Sequence, residues 1–474
     1  MNGTKFALPV ERLEHRLPDK KPRYTEAEAR AEAERCLYCV DAPCIRACPT
    51  EIDIPTFIKK IASGNVRGSA RTIFEQNILG ASCARVCPVE VLCVGACVYT
   101  GWGRAPIQIG RLQRYATETA IADVNRPVVA RSAVPEGPPG ARVKRVACIG
   151  AGPASLACAA YVALAGHHAV VFEKGAFPGG LNTTGIAPYK LHAEDAIAEV
   201  EWLQELGVEI RTGVEVGKDV TARWLSEEYD AVFLGLGLGH DQDLRIPGED
   251  GPGVVGATAW IEQMKLAATP AHPREPALGR VIVVGGGNTA IDVAREAAQL
   301  GAAEVDMVYR RGAGDMSGYD HEMEGARKDG VRLLENRVPL AFVRDASGKL
   351  IALRVANAEN GVAIAETEHD LPCDLVAVAI GQSKLRQLAA DLPGVVLDAR
   401  GCVVVDPATG ATGNPKVWSG GDCTNGGKEV VNAVADGRNA ARAMIARWKA
   451  RPDSSPAPGA GGAGGGSAGR AENT

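Results

Sequence analysis

The opening 21 residues, "MNGTKFALPVERLEHRLPDKK", hold no apolar run behind their charges, so the form of an export signal is missing and a cytoplasmic protein is expected. No uninterrupted apolar stretch reaches the length of a membrane span, and no membrane partner is expected. A basic excess is missing too. Lys and Arg total 52 against 57 Asp and Glu, for a net charge of -5 and a pI near 6.0, which argues against a nucleic-acid partner. Aromatic residues make up only 5 % of the chain while glycines number 56, a balance that suits an α/β enzyme rich in tight turns. At 474 residues the chain exceeds one ordinary core, so two to four domains are expected. The stretch from Pro452, "PDSSPAPGAGGAGGGSAGRAENT", has nothing to bury and is expected to be disordered.

What the chain does have is thiols. Residues 36–49 read "CLYCVDAPCIRACP", a Cys-x2-Cys-x4-Cys-x3-Cys-Pro spacing. Disulfides are rare in reducing compartments, where such a pattern binds metal or does redox work. Bacterial ferredoxins use a related spacing, and there the fourth cysteine crosses to a second cluster. By that logic Cys36, Cys39 and Cys44 hold one cluster and Cys48 begins another. A second set, Cys83, Cys87, Cys93 and Cys97, lies in "SCARVCPVEVLCVGACVYT". Two four-iron clusters need eight ligands, and eight cysteines lie between Cys36 and Cys97. The rival metal is zinc, in a nucleotide-sensing scaffold. A zinc ribbon wants two Cys-x2-Cys knuckles, and this stretch has one. The other five cysteines, Cys148, Cys158, Cys373, Cys402 and Cys423, sit singly in apolar or glycine-rich surroundings and read as buried structural thiols.

Helix formers lead into Cys36, and further helical pieces at "IPTFIKKIASG" and "RGSARTIFEQN" alternate with the cysteine-bearing loops. After the breaker-rich linker "SAVPEGPPGARVK" the composition changes. The strand Val146–Ile149 runs into Gly150-x-Gly152-Pro153-x-Ser155, an alanine-rich helix and a second strand ending at Glu173. Gly150 makes the tight turn, Gly152 admits a pyrophosphate, and the small Ser155 stands where helix and strand pack closely; Glu173 is placed to accept from ribose hydroxyls. Gly179-Gly180, followed by Leu181, offers another close backbone approach. The theme repeats at Gly285-x-Gly287-Asn288-Thr289-Ala290, but the second strand there ends in Tyr309-Arg310-Arg311. An acid suits the free ribose of FAD, and arginines suit the 2′-phosphate of NADPH.

"DLVAVAIGQ" and "VWSGGDCTNGGKEVVNAVADGRNAA" close the chain. Asp422 after Gly420-Gly421 can accept from a ribityl hydroxyl, with Val431 in the helix that begins near Glu429. These segments are expected to complete the first nucleotide unit. The expected fold is α/β: an N-terminal helical iron–sulfur domain (1–135), a discontinuous Rossmann-like FAD domain (143–268 and 372–450), an inserted NAD(P)H domain (269–371) and a disordered tail (451–474).

With both glycine motifs, the Gly-Gly-Asp segment and the cysteine-rich front in place, the chain resembles the FAD and iron–sulfur NAD(P)H oxidoreductases over nearly its whole length, the tail excepted. That family includes glutamate synthase small subunits and the N-terminal half of dihydropyrimidine dehydrogenase. Within it, "NILGASCARVCPVEVLCVGACV" looks most like the dihydropyrimidine enzyme; the Cys-Pro-Ala-Pro-Cys-Glu form usual in glutamate synthase subunits is absent. The resemblance implies a first cluster on Cys36, Cys39, Cys44 and Cys97 and a second on Cys48, Cys87, Cys93 and Gln113, with Cys83 a bystander and Gln108 a decoy. It also implies an electron-input subunit with FAD, two [4Fe-4S] clusters and NADH or NADPH. Its partner would be an FMN/iron–sulfur subunit reducing uracil and thymine to their 5,6-dihydro forms, in a heterotetramer. A glutamate synthase small subunit or a related electron-transfer subunit is the alternative. No acid–base residue is expected, because hydride transfer rests on stacking geometry.

Overall fold

The computed structural model describes residues 6–123, 128–133, 142–267, 278–384, 388 and 391–450; the tail read as disordered lies outside the described residues. The N-terminal unit is helical. Its helix Glu26–Glu34 starts at a capping box in which Thr25 accepts from the Glu28 N–H and Glu28 accepts from the Thr25 N–H. Helix Ile54–Ala62 is capped by Asp53, which accepts from the Thr56 N–H at 3.1 Å. Its spacing buries Ile54, Phe57, Ile58 and Ile61 on one face. That face packs with Ile73, Leu112 and Ala116, from helices Val66–Phe74 and Ile109–Ala122, in a core that also contains Cys48 and Cys93. Each such side chain contributes roughly 1.5–3 kcal/mol by burial, so the thiols are held by a rigid apolar frame.

The next unit is a parallel sheet. Strands β1 (Arg145–Ile149), β2 (His168–Glu173), β3 (Val208–Thr212) and β4 (Ala231–Leu234) form it, with helix Pro153–Leu164 crossing between β1 and β2. A second parallel sheet contains β5 (Val254–Gly256), β6 (Arg280–Val284), β7 (Glu304–Val308) and β8 (Arg332–Leu334). An antiparallel sheet that the sequence reading missed follows, made of β9 (Arg337–Arg344), β10 (Leu350–Glu359), β11 (Val362–Ala363) and β12 (His369–Pro372). β13 (Leu375–Val378) pairs in parallel with β6, and β5 flanks β13. This corrects two expected boundaries, because residues 375–378 and 254–256 sit in the second parallel sheet and not the first. The reason is topological: β6, which carries the second glycine turn, needs a neighbour on each side, and β13 supplies it. β14 (Val417–Ser419) returns to the first sheet beside β4, giving the order β14-β4-β1-β2-β3.

Helix Val430–Ala450 packs on helix Pro153–Leu164 so closely that a Cβ at Gly437 would overlap the Ala154 carbonyl oxygen. Two buried titratable side chains tie the units together. Lys265, fully buried on helix Ala257–Leu266, donates to the carbonyls of Asn182 (2.7 Å), Ile186 (3.0 Å) and Leu191 (2.8 Å), and burial pulls its pKa down to about 8. Glu199, on helix Ala193–Glu205, accepts from the N–H groups of Ala81 (2.8 Å) and Ser82 (3.1 Å) and from the Ser82 hydroxyl at the start of helix Gly80–Val86.

Burial raises the Glu199 pKa to about 7 although these hydrogen bonds oppose it. Between about pH 4.5 and 7 the folded chain holds a proton here that the unfolded chain has released. The contribution of this site to stability therefore falls as pH rises through that window, by roughly 3 kcal/mol. The thermal midpoint should drop between pH 5 and pH 7 in the wild type and drop less in Glu199→Gln; equal drops in both would exclude Glu199 as the source.

Candidate functional site: a cavity beside two thiol sets

A cavity of about 2430 Å³ runs across the C-terminal ends of both parallel sheets. A single-ligand pocket measures roughly 300–1,000 Å³, so this space suits two nucleotides. From the first unit it is lined by Gly150, Gly152, Pro153, Glu173, Gly180, Leu181, Gly421 and Asp422, and from the second by Gly285, Gly287, Asn288, Thr289, Arg310 and Arg311. Two sequence-read residues face elsewhere. Ser155 is fully buried under β1, its hydroxyl donating to the Ile149 carbonyl at 3.3 Å, so it acts in helix–strand packing. Val431 points into the core behind the sheet; helical periodicity puts Val430 and Ala433 on the cavity wall instead.

Gly150 has φ +84°, and a Cβ there would lie 2.6 Å from the Gly235 carbonyl oxygen. Glycine is therefore required by conformation and by space. At Gly152, the N-cap of helix Pro153–Leu164, a Cβ would meet no protein atom within 4 Å. That open cradle at a helix N-terminus fits a pyrophosphate. Glu173 ends β2 with both oxygens held, accepting from the N–H groups of Ala151 and Gly175, each at 2.7 Å. Asn288 accepts from the Tyr319 N–H at 2.9 Å. Arg310 and Arg311 are exposed beyond β7, and Arg311 donates to the Tyr309 hydroxyl at 2.8 Å. Asp422 accepts from the Lys428 N–H at 3.1 Å, and burial lifts its pKa above the ordinary carboxylate value.

The thiols fall into two neighbourhoods. Cys36 lies in the electrostatic reach of Cys39 and Cys97, and Cys44 in that of Cys36 and Cys97. Cys93 neighbours Cys87 and Cys48 first and Cys44 at longer range. Gln113 is buried and donates its Nε2–H to the Gly80 carbonyl at 2.8 Å, so Oε1 is the atom it would offer to a cluster. Cys83 is also buried and hydrogen-bonds with Cys87. Gln108, in contrast, is exposed at the N-cap of helix Ile109–Ala122. A tetrahedral zinc site would hold its sulfurs about 3.8 Å apart, from Zn–S bonds of about 2.3 Å. Among the described residues no three cysteine sulfurs lie within 4.8 Å of one another, a spread that suits the larger four-iron cluster. Burial pushes the Cys44 thiol up to about 12 and that of Cys93 well above the ordinary range, so metal loading must expel protons.

Residues 144–437 match the pyridine nucleotide-disulphide oxidoreductase family, and residues 14–125 match the family described as dihydropyrimidine dehydrogenase domain II, 4Fe-4S cluster. The chain belongs to the pyridine nucleotide-disulphide oxidoreductases. This oxidoreductase is 35 % identical to the glutamate synthase [NADPH] small chain of Halomonas elongata over 458 residues, covering 90 % of this chain and 95 % of the relative. The Escherichia coli glutamate synthase [NADPH] small chain is 34 % identical over 441 residues, covering 89 % and 92 %. The NADP(+)-dependent formate dehydrogenase subunit beta of Moorella thermoacetica is 34 % identical over 435 residues, but the match covers only 59 % of that longer relative. Among solved structures, Mycobacterium tuberculosis FprA in complex with NADPH superposes with a TM-score of 0.52 at 20 % identity, covering 66 % of this chain and 88 % of FprA, a likeness of fold. The cofactors of the oxidoreductase are FAD, NAD(P)H and 4Fe-4S iron–sulfur. Among the described residues no helix is long and apolar enough to cross a membrane.

When bound, the flavin converts two-electron to one-electron chemistry. The chain's own contribution is placement. Both glycine turns open into one cavity, and Val86 and Pro88, on either side of Cys87, line it as well. The second thiol set therefore abuts the nucleotide cavity.

Proposed function

We propose that the chain is an electron-input subunit, taking hydride from NADPH onto FAD and passing electrons through two [4Fe-4S] clusters to a partner polypeptide. The observation that carries this reading is the cavity wall at Val86 and Pro88, which joins the thiols to both nucleotide motifs. The Cys48, Cys87, Cys93 set, with Gln113, would be the entry cluster. The Cys36, Cys39, Cys44, Cys97 set would be the exit: its sulfurs are half-buried, and Leu37, Val40 and Trp102 are exposed around it. We favour a glutamate-forming partner, because two glutamate synthase small chains match over nearly the full length of both chains. A pyrimidine-reducing partner is the second reading, favoured by the "VCPVEVLCVGACV" segment and the family matched by residues 14–125. Copurification with the partner polypeptide separates them, since NADPH oxidation that depends on added 2-oxoglutarate and glutamine should then yield glutamate. Oxidation that depends on uracil would replace the first reading with the second.

Arg310 and Arg311 supply the expected preference for NADPH. Each charge-assisted hydrogen bond to a 2′-phosphate is worth roughly 1.5–3 kcal/mol, and about 1.4 kcal/mol is tenfold in affinity. Replacing both with alanine should lower kcat/KM for NADPH at least tenfold and leave NADH nearly unchanged. A wild type that prefers NADH, with a double variant unaltered toward NADPH, would overturn this assignment.

A further inference from the structure

Among the described residues four arginines are buried: Arg12, Arg85, Arg114 and Arg438. Three of them meet carboxylates. Arg12 pairs with Glu14 at 2.6 Å, Arg85 with Glu118 and Asp195 at 2.8 Å each, and Arg114 with Asp19 at 2.6 Å. Arg438 differs. Its guanidinium donates to the Thr50 carbonyl (2.5 Å), to the Gln76 carbonyl (3.1 Å) and Oε1 (3.0 Å), and to Asn439 Oδ1 (3.2 Å), all neutral acceptors. A buried cation without a counter-charge is strongly disfavoured, so a negative partner belongs nearby.

The surroundings say where. Thr50, whose carbonyl receives Arg438, has its hydroxyl 3.3 Å from Cys48 Sγ. The charges that act favourably on Arg438 are those of Tyr161, the exposed Glu51 and Cys48, while Arg442, one turn on and exposed, opposes it. Asn77, next to Gln76, is fully buried with neither Nδ2 nor Oδ1 partnered by protein, which marks this segment as facing a further polar group. The backbone that carries it is closely packed, because Gly437 beside it is pressed against the Ala154 carbonyl. The helix that bears it begins at Val430, on the wall of the nucleotide cavity.

We infer that Arg438 is the buried counter-charge of the iron–sulfur cluster held by the Cys48, Cys87 and Cys93 set, and that it raises the reduction potential of that cluster. The inference rests on those cysteines being ligands. Accepting one electron from reduced flavin makes the cluster one unit more negative, and a fixed cation attracts that form more strongly than the oxidised one. Without the cation, the entry cluster becomes a poorer acceptor.

The test uses the full chain, purified anaerobically, with iron analysis and a redox titration followed by electron paramagnetic resonance. Cys48→Ser identifies the signal of the entry cluster by its loss. In Arg438→Gln, that same signal should titrate lower by at least tenfold in its one-electron equilibrium, about 59 mV, with the other signal unmoved and iron content retained. Arg438→Lys should hold the potential near the wild-type value. An Arg438→Gln protein with full iron and both potentials unchanged overturns the inference. Should the glutamine variant lose iron, the lysine variant decides: retained iron at a near wild-type potential supports the counter-charge, and equal loss overturns it. A Cys48→Ser protein that keeps both signals would instead refute the ligand assignment beneath it.

Discussion

Cys87→Ser is expected to strip the entry cluster, lowering iron from about eight atoms per chain to about four, whereas Cys83→Ser keeps the full complement. The two thiols are one helical turn apart and hydrogen-bond to each other, so proximity alone does not separate them. Their surroundings do. Cys83 is 1 % exposed and packs into the apolar core shared with the first sheet, among Phe74, Ile78 and Leu79. Cys87 ends helix Gly80–Val86, is only half-buried, and lies beside Cys93, between the two residues that reach the cavity wall. Gln113 is fixed by the Gly80 carbonyl and can complete the set through Oε1. Iron and acid-labile sulfide analysis of the two serine variants checks this. Equal losses would make Cys83 the eighth ligand, and Gln113→Leu would then leave the iron content intact.

Features that demand one residue type were legible in the sequence. Gly150 and Gly152 stand at a turn that a side chain would block or fill, and Asp422 follows a glycine pair before a helix; each could be read from its neighbours alone. Features set by long-range partners were not. The run Leu375–Val378 is apolar enough for either sheet, and only its register with Val281–Val284 assigns it. Val430 and Val431 are the same residue type about 100° apart on one helix, and both pack on one core, yet only Val430 reaches the cavity. The antiparallel sheet hid behind β10, whose burial alternates imperfectly. Arg438 reads as one arginine among many until its partner Thr50, 388 positions away, reveals a guanidinium whose hydrogen-bond acceptors among the described residues are all neutral.

The two glycines of the first motif should fail in different ways when each is replaced by valine. At position 150 the side chain meets a left-handed backbone, which costs an L-residue roughly 1–2 kcal/mol, and a Cβ 2.6 Å from the Gly235 carbonyl oxygen, which belongs to backbone and cannot swing aside. Gly150→Val therefore disrupts the turn itself, and flavin and fold should be lost together. Position 152 has φ −77° and ψ 174°, a conformation any residue adopts, and no protein atom lies within 4 Å of its missing Cβ. The protein alone tolerates a side chain there, at the modest cost of a poor N-cap, about 1 kcal/mol. A valine would instead fill the space that brings the N–H groups at the start of helix Pro153–Leu164 close to a pyrophosphate. Gly152→Val should thus purify folded and iron-loaded, with less than about a tenth of the wild-type flavin, since losing two such hydrogen bonds exceeds 1.4 kcal/mol, or tenfold in affinity. Absorbance, iron analysis and far-UV circular dichroism of the two variants give the comparison. A Gly152→Val protein with full flavin would place the pyrophosphate elsewhere in the cavity.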